Sequence, residues 1–292
     1  MRPGHSADKS ERKGLNYLDV QLSGVTDYFD DHGLERVGRD GLDERLHWRY
    51  RCDPAEFVTV LDGGSDGLHY GLWYEDPAEL PALIAHNWAR DSAETWTNGY
   101  ATLIAELRWR VQRVASDYGE DGPEAEQVRA VGAALEWFAA ADEAALRADG
   151  LSPAPAERPY SAVGLFPLLP AGAGDPRLAE SRERLRGFRT ATAAIAKAAK
   201  DTADADAAEA ARVAEAAAAE SIARAEQELA AGAPALALAV GAELHWLDAD
   251  RYRETSRDLL IGAYQALGRH AQADIIEVHT ANRDLRSVSI LV

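Results

Sequence analysis

The chain has 292 residues, 47% hydrophobic and 27% charged, which is ordinary for a globular protein with one large or two modest domains. Its formal net charge of −18 and pI of about 4.8 disfavour binding to nucleic-acid phosphates and to an anionic membrane surface. The single cysteine, Cys52, excludes an internal disulfide and a metal cage built from thiolates.

We expect no secretory signal in the N-terminal segment. Residues 1–13 are polar and lack an apolar core segment, so we expect them to be disordered and expect a cytoplasmic protein without a secretory signal. The apolar stretch Leu236–Trp246 contains Glu243, and no longer apolar run is present, so no membrane-spanning segment is expected.

Residues 14–118 combine strand and helix patterns. Apolar residues between Tyr17 and Leu34 recur at helical spacing and predict a helix that ends near Gly33. Further on, the pattern predicts three strands and an amphipathic helix, at Arg49–Leu61, Leu68–Tyr74, Leu83–Asn87 and Tyr100–Val114. These elements indicate an α+β unit in which an antiparallel sheet carries helices on one face.

The rest of the chain is predicted to be mainly helical. A long helix at Glu124–Asp149 leads into a connection rich in proline and glycine, and together these make up residues 119–176. Residues 177–292 form a predicted helical unit, which includes the alanine-rich segment Thr190–Ala231 and three short closing helices after Ala235. The predicted fold class is α+β, with an N-terminal antiparallel sheet and flanking helices packed on a C-terminal helical unit.

A glycine-rich turn joins the first two predicted strands of the sheet. Gly63, Ser65 and Gly67 formally satisfy the G-x-S-x-G pattern of a hydrolase nucleophile elbow. That elbow requires a helix after the serine, whereas Leu68–Tyr74 alternates as a strand that Asp76-Pro77 ends. The pattern therefore predicts a hairpin turn.

The second strand of this hairpin offers candidate binding residues. His69, Gly71 and Trp73 share one face of it, because side chains alternate between faces along a strand. One face must belong to the core, and the other is either a recognition surface with His69 and Trp73 exposed beside Asp76, or is covered as well. His69, Trp73 and Asp76 are therefore candidate binding residues.

No motif for a metal or a cofactor stands out. The 8 histidines show neither H-x-x-x-H nor H-E-x-x-H spacing. No glycine-rich phosphate loop of a nucleotide-binding protein is present either. We therefore predict neither a metal nor a cofactor.

Two blocks of sequence carry a resemblance to a known family. The first is Gly67–Pro81, continuing through Asn98-Gly99, and is similar to a His-x-Gly strand followed by an Asp-x-Pro-x-Glu turn. The second ends on Ala-Asp-Ile-Ile-Glu-Val-His-Thr-Ala-Asn-Arg, Ala273–Arg283, after Leu238–Leu244 and Leu259–Leu267. In order and spacing both blocks resemble the histone PARylation factors and their bacterial relatives, over most of Tyr17–Leu291.

The resemblance implies a non-enzymatic accessory protein that docks on an ADP-ribosyltransferase. In that family the factor completes the active site of a poly(ADP-ribose) polymerase by supplying a catalytic glutamate, and it redirects modification to serine. An ungapped count back from Gly241 places an alanine at that position, and Glu228 is the nearest carboxylate. Arg177 lies nearest to the place of the family's polymerase-contacting Tyr-Arg pair, and is carried as a candidate binding residue.

Two other functions stay open. A compact acidic α+β protein with a Gly-Gly turn also fits an immunity or antitoxin-like protein, which complementary charge would steer to a basic toxin partner. A free-standing enzyme is the third, and turnover of NAD that Glu228→Ala abolishes would identify it.

Overall fold

The computed structural model describes residues 15–118, 122–148 and 205–292, two short strands between them and Ala194. These residues divide between two compact units. The first falls within Met1–Tyr50, Glu56–Glu157 and Arg286–Val292, and the second within Arg51–Ala55 and Arg158–Leu285. The predicted disordered N-terminus and most of the predicted connection at 119–176 lie outside the described residues.

In the described part of the first unit, a five-stranded antiparallel sheet is accompanied by two α-helices. The strands follow one another in chain order across the sheet: β1 (Gln21–Leu22), β2 (Phe57–Asp62), β3 (Leu68–Trp73), β4 (Leu83–Trp88) and β5 (Thr95–Thr97). Tyr70 of β3 lies directly opposite His86 of β4. The three strands and the hairpin turn predicted from the sequence are confirmed, with β2 beginning later than expected.

Helices α1 (Leu103–Tyr118) and α2 (Pro123–Ala148) follow the sheet and pack against each other. Their apolar stripes lie at i, i+4 and i+7 spacing, which places one side of each helix in the core. The core of this unit includes Leu61, Tyr70, Leu107 and Leu135, all at most 7% exposed. Both helices were predicted, with small differences at their ends.

The helix predicted between Tyr17 and Leu34 is wrong. This segment instead contains β1 and three short 3-10 turns, Asn16–Leu18, Gly24–Phe29 and Gly33–Glu35. The Ser23 amide donates to the Val60 carbonyl of β2 at 3.0 Å, and Gly24 has a φ of +66°. A side chain at Gly24 would come within 2.2 Å of the Thr59 carbonyl oxygen, so pairing with the sheet overrides the helical spacing.

Residues 286–292 complete the first unit by pairing with an earlier stretch of backbone. The amides of Val37, Arg39 and Trp48 donate to the carbonyls of Val292, Ile290 and Val288 at 2.7–3.3 Å. Ile290 is fully buried. This stretch therefore belongs to the first unit although it follows the second in sequence.

Among its described residues, the second unit has four α-helices: α3 (Ala205–Ala230), α4 (Ala235–Leu247), α5 (Arg253–Ala266) and α6 (His270–Ala281). Its core is formed by Leu238, Leu244, Leu259 and Ile276. The three closing helices predicted from the sequence are confirmed, as is helix in the described part of the alanine-rich segment. Two short strands that the sequence did not predict, β6 (Tyr160–Ser161) and β7 (Gly164–Leu165), pair antiparallel.

The fold class is α+β, as predicted: an antiparallel sheet precedes a series of helices. No helix in the described part of the chain is long and apolar enough to cross a membrane. Within the same residues, no group of three or more His, Cys, Asp or Glu side chains is placed to hold a metal ion.

Candidate functional site

His69 and Trp73 are both fully buried, at 0% exposure. The His69 ring lies 4.4 Å from that of Tyr50 and 5.0 Å from that of Phe57, and its Nδ1 donates to the Gly67 carbonyl oxygen at 2.8 Å. Of the two interpretations that the sequence left open, a recognition surface with these two side chains exposed is therefore excluded. The other interpretation, in which both faces of β3 are covered, agrees with the structure.

Asp76 is exposed in the turn that follows β3. Its Oδ1 accepts the Ala78 amide at 2.9 Å, and its carbonyl oxygen accepts the Glu79 amide at 3.1 Å. These bonds are those of an Asx turn, which explains why an aspartate is suited to this position. A partner protein could therefore reach the Asp76 carboxylate at the surface of this turn.

Glu228 lies in the last turn of α3 and is partly buried. Its Oε1 accepts from Arg224 Nε at 2.8 Å, an i, i+4 ion pair, and its side chain is 17% exposed. The pair holds the carboxylate along the helix surface. Arg177, the other residue that the resemblance pointed to in this half of the chain, lies outside the described residues.

The turn after Glu228 is a Schellman cap. The Ala233 amide donates to the Glu228 carbonyl at 2.9 Å, the Gly232 amide donates to the Leu229 carbonyl at 2.9 Å, and Gly232 has a φ of +81°. These bonds fix the backbone at Glu228 and at the alanine-rich turn that leads into α4. Glu228 is therefore anchored at a well-defined helix end.

The second resemblance block is made largely of packing residues. Ser256 Oγ donates to the Gly241 carbonyl at 2.8 Å, and a Cβ on Gly241 would come within 2.8 Å of Leu260. Arg283, at the end of α6, donates to the carbonyls of His245 and Arg51 at 2.6 and 3.1 Å. These contacts join α4, α5 and the end of α6. The residues of the second block are therefore explained by helix packing.

A cavity of about 680 Å³ opens in the first unit between the sheet and α1. It was not predicted from the sequence. Tyr70 and His86 approach it from adjacent strands, Asn98 from the end of β5, and Glu106 and Arg110 from α1. Antiparallel pairing and the helix crossing thus bring together residues from four elements.

An ion pair at this cavity is almost fully buried. Arg110 Nε donates to Glu106 Oε1 at 2.8 Å, and the exposed fractions of the two side chains are 11% and 0%. The Arg110 guanidinium carbon lies 4.2 Å from the centre of the Tyr70 ring. A carboxylate on one edge and an aromatic face on one side fix the guanidinium in a single orientation.

A second polar pair lines the same cavity. His86 Nδ1 is hydrogen-bonded to Asn98 Oδ1. Burial lowers the pKa of His86, Arg110 and His69 lower it further, and the Asn98 hydrogen bond opposes them. The imidazole is therefore held neutral at neutral pH.

A sequence signal for this cavity exists in α1. Leu103, Leu107, Arg110 and Val114 lie at i, i+4, i+7 and i+11, so a guanidinium occupies a position of the apolar stripe. Glu106 precedes Arg110 by four residues, the spacing of an ion pair on a helix. A charged pair on a buried stripe indicates either a structural pair or a site, and only the fold shows the cavity beside it.

Comparison with known proteins gives a consistent result. The family described as Histone PARylation factor 1 matches residues 5–150. A curated relative from cattle (Bos taurus), "Histone PARylation factor 1", is 26% identical over 254 residues, which cover 86% of this chain and 71% of the relative. Proteins of the same name from zebrafish (Danio rerio) and mouse (Mus musculus) are 33% and 31% identical over 88 and 83 residues.

The zebrafish and mouse matches are shorter than the cattle match. They cover 30% and 28% of this chain, and 25% and 24% of those relatives. All three relatives carry the same name, so the alternative of an immunity or antitoxin-like protein is not favoured.

Proposed function

Because this chain belongs to the histone PARylation factor 1 family, we propose that it is an accessory protein that binds an ADP-ribosyltransferase and alters its transfer reaction, without catalysing a reaction alone. The observation that carries the proposal is the cattle alignment, which covers 86% of the chain. We expect the protein to act in the cytoplasm.

The charge of the chain supports a docking role. A net charge of −18 favours a partner with a basic surface, and complementary charge accelerates association and disfavours wrong partners. The exposed turn at Asp76 contributes to this acidic surface. Binding that depends on it should weaken as salt screens the charges.

Glu228 is the carboxylate that we propose for the composite active site. It stands at a capped helix end, and its partner Arg224 is one turn away on the same helix. An incoming enzyme that attracts or displaces Arg224 would release the carboxylate toward the reacting hydroxyl. A carboxylate freed in this way can accept a proton as a general base.

The test is reconstitution with an ADP-ribosyltransferase from the same organism. The enzyme, labelled NAD and a protein substrate are incubated with and without this chain, and the modified side chains are identified by mass spectrometry. We expect the chain to co-purify with the enzyme and to increase the modification of serine. The chain alone should not consume NAD.

Two variants separate docking from chemistry. Glu228→Gln should keep binding and lose the effect on serine modification, whereas Glu226→Gln, an exposed neighbour on the same helix, should behave as the unmodified chain. If Glu228→Gln keeps the effect on serine modification, or if Glu226→Gln loses it to the same extent, the role of Glu228 is rejected. No co-purification and no change in ADP-ribosyl transfer would overturn the proposed function itself.

A further inference from the structure

The cavity between the sheet and α1 is rich in hydrogen-bond donors. The terminal nitrogens of Arg110 have no protein acceptor among the residues that the structure describes, because its one ion pair uses Nε. Arg113, one turn further along α1, lines the same cavity, and its guanidinium carbon lies 5.4 Å from the centre of the Trp109 ring. The guanidinium groups of Arg110 and Arg113 therefore both line this cavity.

The two acidic residues that line the cavity, Glu106 and Asp19, leave these guanidinium donors available to a ligand. Glu106 is fully buried and already accepts from Arg110, and its Oε2 has no hydrogen-bond partner in the described chain. Asp19 also lines the cavity but is exposed, where water screens its charge. The Arg110 fork, held by Glu106 and Tyr70, is therefore oriented in advance for an acceptor with two oxygens.

Two indole rings also line the cavity. The indoles of Trp88 and Trp109 border the cavity, and both are partly exposed. Such rings favour contact with a planar group, and a few placed polar groups beside them are typical of a small-molecule site. The volume of about 680 Å³ falls in the range of such sites.

We propose that this cavity binds a small organic anion, whose planar ring packs against Trp88 and Trp109 and whose oxyanion is held by Arg110 and Arg113. Carboxylate and phosphate share the required chemistry, since either presents two oxygens to a guanidinium fork. Binding of such an anion would require neither Glu228 nor a partner enzyme. It would make the accessory protein responsive to a metabolite.

Isothermal titration calorimetry on the full chain tests the proposal. Indole-3-acetate probes a ring with a carboxylate and adenosine monophosphate probes a ring with a phosphate. Tryptophol and adenosine are their neutral counterparts. We expect saturable binding of one anion, at least about tenfold tighter than its neutral counterpart, as for the loss of a charge-assisted hydrogen bond. The anion that binds identifies the oxyanion.

Variants on α1 locate the binding. Arg113→Gln should weaken the anion by roughly tenfold without loss of fold, because Arg113 is exposed and makes no ion pair in the described chain. Arg110→Lys, which keeps the charge and loses the fork, should weaken it as well. Arg108→Gln is the matched control, because Arg108 is on the same helix but pairs with Glu136 of α2 at 2.9 Å.

Three outcomes would overturn the proposal. The first is that neither anion binds the folded chain, as checked by circular dichroism. The second is that the neutral counterparts bind equally well, since the guanidinium groups would then contribute nothing. The third is that Arg108→Gln weakens binding as much as Arg113→Gln.

Discussion

The Arg283 guanidinium lies 2.9 Å from Asp248 Oδ1, and only 2% of the Arg283 side chain is exposed. Asp248 is the residue that ends α4, with a φ of +56°, and Arg283 follows α6. Burial lowers the pKa of Arg283, and Asp248 raises it. One buried cation therefore connects the ends of two helices through residues that lie 35 positions apart in sequence.

Replacing Arg283 with methionine should lower the free energy of unfolding by about 3 kcal/mol, because three acceptors lose a buried donor. Urea unfolding followed by circular dichroism measures the change. Arg257→Met is the control, since Arg257 pairs with its exposed neighbour Asp258 in the described chain, and its loss should cost at most about 0.5 kcal/mol. Equal losses in the two variants would contradict a structural role for Arg283.

Gly241→Ala should destabilise the protein by about 1–3 kcal/mol, because the new methyl group would meet Leu260 at 2.8 Å. The contact can be isolated with a double-mutant cycle that includes Leu260→Ala. With Leu260 shortened, the alanine at position 241 should cost less, with a coupling energy of at least about 0.5 kcal/mol. Strictly additive effects would show that the two residues do not limit each other's packing.

Cys52 should resist alkylation in the native protein. Burial raises the pKa of its thiol to about 11, with smaller effects from Arg283 and two aspartates. At about pH 8 we expect iodoacetamide to react roughly a hundredfold more slowly than in urea, because the thiolate fraction is lower. Equal rates in native and unfolded protein would contradict this environment.

The raised pKa of Cys52 also has a consequence for stability. Below its ordinary pKa of 9.0, the thiol is protonated in both the folded and the unfolded chain. Its contribution to the free energy of unfolding is therefore fully present there. As the pH rises toward about 11, the unfolded chain loses the proton first and the contribution is lost. Cys52→Ala should remove this alkaline dependence.

His86 should make the protein less stable as the pH falls. Its pKa is lowered from 6.5 in the folded state, chiefly by burial, so the unfolded chain takes up the proton first. The contribution of neutral, buried His86 to the free energy of unfolding is present above about pH 6.5 and is lost as the pH falls below it. Urea unfolding at pH 7.5 and pH 5 should show a smaller difference for His86→Asn than for the unmodified chain.

His270→Gln provides the comparison for this prediction, because His270 is exposed at the start of α6. It should leave the pH dependence as it is. If His86→Asn and His270→Gln behave alike, burial of His86 is not the cause of the acid sensitivity.

Much of the fold follows from local patterns. Alternation predicts β3 and β4, and the apolar stripes predict α1, α2 and the closing helices, because each element buries the side that its sequence marks. The helix prediction for Tyr17–Leu34 fails because Ser23 and Gly24 contact β2, whose residues are far along the chain. Helical spacing cannot report a distant hydrogen-bond partner.

The site residues divide in the same way. The period of two places His69 and Trp73 correctly on one face of β3, but it cannot show that Tyr50 covers His69. Arg110 stands out as a charge on an apolar stripe, yet its cavity requires Tyr70, His86 and Asn98 from three other places. Burial and convergence are properties of the assembled fold.

The return of residues 286–292 to the first unit means that neither unit corresponds to one uninterrupted piece of the gene product. A fragment cut before residue 286 would strip the Val37, Arg39 and Trp48 amides of their acceptors and leave the place of Ile290 empty. Producing the first unit by itself therefore requires that residues 286–292 be joined to it or added as a separate peptide, because simple truncation would expose these backbone amides and the apolar surface that Ile290 covers.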